Sequence, residues 1–207
     1  AASLLRSGST HAAMKGLIHT NILLKALLDA RAGLRQPGER VSHVFLADIP
    51  AYPKLLAITD AAVNIAPDLS AKAAILQHAI DLMATIGVDL PKAAILSAVE
   101  TVNPLISSSL DAAALSVMSH RGQVRGALVD GPLAFDNAIS LKAAEVKGIA
   151  SPVAGDADIL LVPDLVSGNI LAKNLEYMAD ATLAGLVLGL NAPIVLPSRA
   201  DPVNARL

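Results

Sequence analysis

An α/β fold around a mostly parallel sheet is predicted by three observations. Short, uniformly apolar runs recur along the chain, and segments of helical periodicity separate them. The 207 residues are 54% hydrophobic and only 16% charged, well under the roughly 25% charge of an average domain. Strands that are apolar at every position are buried on both faces, as in βαβ architectures.

The chain opens on a helical pattern at Ala1–Leu5, with neither a cap nor an initiator Met. Gly33–Arg40, with Arg35, Gln36, Pro37, Gly38 and Glu39, has linker composition. Val41–Ala47 and Lys54–Thr59, split by Ile49-Pro50-Ala51-Tyr52-Pro53, read as an antiparallel pair. Ser70 is the expected N-cap of a helix running to about Ile86, with Leu76, Ala79, Ile80, Met83 and Ile86 on one face and Gly87 as the stop. Ala93–Leu96 reads as a buried strand and residues 109–120 as a helix. Gly126–Val129 and Ile159–Val162 are strands, the first ending at Asp130-Gly131-Pro132 and the second at Pro163-Asp164. Helices at Ile170–Met178 and Thr182–Gly189 and a strand at Pro193–Leu196 follow. A last amphipathic helix is expected to begin at Asn204, so both ends read as cut from a longer protein.

Composition excludes several function classes. Sixteen basic against eighteen acidic residues leave a net charge of −2, too little positive charge to neutralise a run of phosphates, so no nucleic-acid partner is expected. Aromatics are 2% with no Trp, which removes the platforms on which bases stack. With no Cys there is no disulfide scaffold, thiolate zinc site or cysteine nucleophile. The five His are scattered singly, so no metal is expected. The longest uncharged run, Ala181–Ser198, is interrupted by Gly185, Gly189, Asn191, Pro193 and Pro197 and reads as core rather than membrane span. A soluble, cytoplasmic chain is expected. No G-x-S-x-G elbow, Walker A sequence or G-x-G-x-x-G is present.

Ligands of open α/β sheets bind beyond the carboxyl ends of strands, where loops and helix N-termini present N–H groups. Polar clusters fall in such places: Lys15-Gly16 with His19-Thr20, Glu100 with Asn103-Pro104, Asp130-Gly131-Pro132 with Asp136-Asn137, Gly168-Asn169, and Ser198-Arg199 with Asp201. Ser198-Arg199 offers a hydroxyl and a guanidinium after a strand, the equipment of a phosphate site; a helix cap with a surface ion pair is the plainer alternative. Asp130-Gly131-Pro132 also reads as a turn, Asn169 as an N-cap, and His19 as a helix-start residue.

Taken together and in order, these blocks resemble the phosphate acetyltransferase/phosphate butyryltransferase family. Met14-Lys15-Gly16-Leu17-Ile18-His19-Thr20 and Ala98-Val99-Glu100-Thr101-Val102-Asn103-Pro104 resemble segments of the butyryltransferase-like branch. Val129–Ala138, Ser151–Asp158 leading into Val162-Pro163-Asp164-Leu165, Gly168-Asn169 and Ser198-Arg199 match blocks of the family generally. Relatives of this branch include proteins with an enoyl-CoA hydratase domain fused ahead of the transferase.

The resemblance implies two α/β/α three-layer domains with mostly parallel sheets and isocitrate/isopropylmalate dehydrogenase-like topology, with a cleft between them and a homodimeric assembly. Residues 1–35 and 178–207 would form a discontinuous first domain lacking its N-terminal portion, and 36–177 the inserted one. It implies reversible transfer of a short acyl group between CoA and inorganic phosphate, with acyl-CoA and phosphate as substrates and no further cofactor. Ser198, Arg199 and Asp201 would be catalytic, Asp201 replacing an aspartate that the acetyltransferase branch places where this chain has Ala205. Lys15, Gly16, His19, Thr20, Lys25, Glu100, Asn103, Asp130, Gly131, Pro132, Gly168 and Asn169 would bind substrate. The alternative is a non-catalytic domain of the same fold that senses acyl-CoA or drives oligomerisation.

Overall fold

The apolar runs of the sequence assemble into one sheet of eight strands. The computed structural model describes residues 1–35 and 38–197. The strands are β1 (Ala13–Met14), β2 (Ser42–Asp48), β3 (Leu56–Thr59), β4 (Lys92–Leu96), β5 (Leu128–Leu133), β6 (Ile159–Leu161), β7 (Thr182–Leu188) and β8 (Ile194–Val195), in the order β1-β8-β7-β2-β3-β6-β4-β5. Pairing is parallel at β1–β8, β3–β6, β4–β6 and β4–β5, and antiparallel at β2–β3, β2–β7 and β7–β8. The sheet is therefore mixed with a parallel majority.

Helices cover both faces, which is why β3 and β6 are buried at every position. One face carries α3 (Leu69–Thr85) and α4 (Ser107–His120), whose Ile75, Leu76, Ala79, Ile80, Ala112 and Leu115 pack on Val44, Ala57, Ala93 and Ile159. The other carries α5 (Phe135–Ile139), α6 (Leu141–Val146) and α7 (Leu165–Met178), packed through Ala138, Ala144 and Ala172 on Ala47, Ile58, Leu160 and Leu183. A third cluster joins α1 (Ala2–Arg6) and α2 (Thr20–Leu28) to the sheet through Leu5, Leu24, Leu27, Val187, Ile194 and Leu196.

Residues 1–35 and 178–197 contribute β1, β7 and β8, and 38–177 contribute β2 to β6. The two groups meet at β2–β7, where seven residue pairs run from Ser42↔Leu188 to Asp48↔Thr182. Gln36 and Pro37 of the linker segment lie outside the described residues.

Several elements differ from the sequence expectation. The stretch from Thr182 is a strand, not a helix: Leu183, Gly185 and Val187 are buried and their neighbours are not. That is a period of two, which a short apolar run does not separate from a helical one until a partner strand lies beside it. Asp130-Gly131-Pro132 does not end a strand but sits inside β5. A Cβ on Gly131 would lie 2.8 Å from both the Cβ and the carbonyl oxygen of Ile95, so this Gly serves close strand contact rather than a turn.

The caps also move. Asp68, not Ser70, caps α3, its carboxylate accepting from the Ala71 amide at 2.7 Å. Helix α7 starts ahead of Asn169, capped by Asp164, which accepts from the Ser167 amide at 2.8 Å in a capping box. Among the described residues no helix is long and apolar enough to cross a membrane.

Candidate active site

A cleft of about 170 Å³ opens on the face of the sheet between α7 and the start of α2. The cause lies in β2 and β7. His43 and Phe45 stand on this face, paired with Val187 and Gly185. Gly185 has no side chain to fill the gap between the cluster under α7 and the cluster under α2. Phe45, Leu183 and Leu196 supply apolar lining; Thr20 and Asn169 add polar groups. Lys173 and Glu176 line it too, paired at 2.6 Å. The Lys173 ammonium also lies 5.7 Å from the Tyr177 ring centroid.

His43 is 1% exposed. Its ring meets Phe45 edge-on, with centroids 4.4 Å apart, and its Nδ1 is buried without a hydrogen-bond partner. Burial pushes the imidazole pKa down to about 4, against the opposing pull of the Asp60 charge, so the ring is neutral at pH 7. Asp60 is itself consumed in structure: its carboxylate accepts from the amides of His43, Ala62 and Val63 and from Asn64 Nδ2.

Of the residues singled out from sequence, Thr20 and Asn169 reach this cleft, and the described chain passes along it to Pro197. Ser198, Arg199 and Asp201 follow directly and lie outside the described residues. Asn169 is placed by α7, and its Nδ2 donates to the Ala61 carbonyl at 3.3 Å. Gly168 is buried where a Cβ would lie 2.6 Å from Val162 Cγ2 and 3.1 Å from Ala61 Cβ, so it lets α7 sit close to the loop after β3. Lys15 is buried at the end of β1; its amide donates to Val195 and its ammonium to the Gly16 carbonyl at 3.2 Å. Parallel pairing thus sets Lys15 beside the strand that leads to Ser198. Gly16 is exposed, His19 is the exposed N-cap residue of α2, and Lys25 is exposed in its last turn.

The remaining residues fall elsewhere, Glu100 and Asn103 after β4 and Asp130 and Pro132 within β5. Glu100 accepts from Asn137 Nδ2 at 2.6 Å and from the Lys147 ammonium, which also pairs with Asp136 at 2.9 Å. The hydrogen-bonded Lys147 holds both carboxyls below their usual range. Asn103 organises the turn before α4: its amide donates to Ser109 Oγ, and its Oδ1 accepts from Leu105. Asp130 accepts from the adjacent Gly131 amide, and Pro132 is buried. None of these is among the described residues lining the cleft.

Sequence reasoning missed His43, Phe45, Lys173 and Glu176. Lys173 was readable, because it stands four positions after Asn169 in a helical segment and so shares its face. His43 and Phe45 belong to no local motif. Among the described residues no group of three or more His, Cys, Asp or Glu could hold a metal ion.

Residues 1–205 match the family described as Phosphate acetyl/butaryl transferase. The chain is 55% identical over 207 residues to the phosphate acetyltransferase of Rhizobium meliloti, covering all of this chain and 65% of that one. It is 43% identical over 207 residues to the phosphate butyryltransferase of Clostridium acetobutylicum, covering all of this chain and 68% of the relative. The fold superposes on a branched-chain phosphotransacylase from Enterococcus faecalis with a TM-score of 0.87 and 37% identity, over 97% of this chain and 71% of that one. The chain spans 65% and 59% of the phosphate acetyltransferases of Rhizobium meliloti and Rickettsia prowazekii. Although several motifs resemble the butyryltransferase-like branch, identity is higher to this acetyltransferase than to this butyryltransferase.

Proposed function

We propose, from the premise that the chain belongs to the phosphate acetyl/butyryl transferase family, that it carries the reversible transfer of a short acyl group between CoA and inorganic phosphate. The observation that carries this reading is the family match over residues 1–205, which takes in every motif block in order. The cleft adds support, since its lining ends at Pro197, one residue before Ser198-Arg199.

In the acyl-phosphate-forming direction a phosphate oxygen attacks the thioester carbonyl, the carbon–sulfur bond breaks, and the thiolate takes up the proton released by phosphate. In reverse, Asp201 takes the thiol proton as general base, the thiolate displaces phosphate, and Asp201 passes the proton to the departing phosphate, the forward path relaying it through Asp201 the other way. Holding both substrates in one site turns a two-body encounter into a near-unimolecular step. Ser198 and Arg199 stabilise the charge gathering on the carbonyl oxygen and on phosphate, and Lys15, beside the strand that precedes them, adds positive charge. Thr20 and Asn169 orient the substrate at the cleft; Gly16, His19, Lys25, Gly168 and the Glu100–Asp130 group support binding. No cofactor beyond the substrates enters this scheme. The resemblance supports a homodimer, and substrates that are made inside the cell support a cytoplasmic setting.

The test is phosphate-dependent release of free thiol from acetyl-CoA and butyryl-CoA by the full-length protein. Turnover that falls by two or more orders of magnitude in Arg199→Ala is expected. Binding of acyl-CoA with no turnover in the wild type would replace this reading with a sensor domain.

A further inference from the structure

We propose that the cleft on the β2–β7 face is the pocket for the acyl group, and that Phe45 and Ala62 in its lining set the acyl length accepted. This rests on the acyltransferase reading above. Three observations carry it. The cleft is small: about 170 Å³ against the roughly 300–1,000 Å³ of pockets that take whole drug-sized ligands. It has room for a few carbons and not for a nucleotide. Its lining is mixed in the way a thioester's acyl end requires, with Phe45, Leu183 and Leu196 for the alkyl chain and Thr20 and Asn169 for the carbonyl end. Its lining also runs to Pro197, the last described residue, which Ser198 follows in sequence.

The space is maintained by Gly185. A Cβ there would come within 2.8 Å of His43 Nε2, 2.9 Å of the Leu196 carbonyl oxygen and 3.2 Å of Phe45 Cε1. His43 lines the same cavity and has an unmatched Nδ1.

The experiment measures kcat/KM for acetyl-CoA and butyryl-CoA, with phosphate, on the full-length wild type, Phe45→Ala and Ala62→Leu. The ratio of the two values is independent of the fraction of protein correctly folded, so a purely structural role leaves it unmoved. Phe45→Ala is expected to raise the butyryl-to-acetyl ratio about tenfold and Ala62→Leu to lower it about tenfold, the low end of the discrimination one or two methylenes give in an apolar pocket. Ratios within twofold of wild type in both active variants overturn the pocket assignment and leave the acyltransferase reading standing. If Phe45→Ala does not fold, Ala62→Leu decides alone, by the same threshold. A wild type that turns over neither thioester overturns both.

Discussion

Gly185 stands opposite Phe45 in the β2–β7 ladder, and the missing Cβ is what lets His43 and Phe45 share one sheet face with open space beside them. Gly185→Ala forces a methyl to within 3.2 Å of Phe45 Cε1 and closer still to His43 and the Leu196 carbonyl. A loss of about 1–3 kcal/mol is expected from overpacking. Urea unfolding would register it as a lower midpoint with the slope unchanged; an unaltered midpoint would mean that the strands separate at no cost.

His43 makes stability depend on pH. Its pKa is depressed to about 4 in the fold, against about 6.5 in an unfolded chain. Between those values the unfolded state binds more protons, so the contribution is complete above pH 6.5 and is lost as pH falls toward 4. About 2 kcal/mol should disappear between pH 7 and pH 5. Half-buried His78 is shifted down as well, so the measurement compares wild type with His43→Leu, whose stability should fall less over the same interval. Parallel pH curves for the two proteins would refute the assignment.

Lys72 is 6% exposed on α3 and donates to Asp111 on α4 at 2.6 Å. Asp111→Ala leaves a buried ammonium without its counter-charge. An expected loss of about 2–3 kcal/mol follows, at the lower side of the buried-pair range because Asp111 retains partial exposure. Lys72→Met combined with Asp111→Leu should recover most of it. A double variant no more stable than Asp111→Ala in chemical denaturation would count against this account.

Asp164 fixes the first turn of the helix that carries Asn169, Lys173 and Glu176. Asp164→Ala should cost about 1 kcal/mol, and Asp164→Ser much less, because a hydroxyl still accepts from the Ser167 amide. Thermal unfolding of the three proteins gives the order directly.

The legible part of the fold is the part buried on two faces. Ala93–Leu96 and Ile159–Leu161 are apolar at every position because helices cover both sides of them, and that burial is local enough to show in the string. The antiparallel β2–β3 pair was announced by the Pro50 and Pro53 interruption. The β7 strand was not, since Thr182–Leu188 declares its period only once β2 lies against it. Asp68 and Ser70 are both good cap residues, and the turn entering α3 selects between them. Thr20 and Asn169 stood out as polar residues near glycines. His43 and Phe45 did not, because their role comes from a cross-strand partner about 140 residues away in sequence. Ser198 and Arg199 were legible as a hydroxyl and a guanidinium following an apolar strand, and their catalytic role, like that of Asp201, came from the motif resemblance.

The antiparallel seam between β2 and β7 has a thermodynamic corollary. The cavity draws on positions from Thr20 to Pro197, so it exists only when distant stretches of polypeptide have all condensed. Any small molecule lodged there clasps those stretches together and binds no partly unravelled species, so its concentration should raise the melting temperature of the entire sheet.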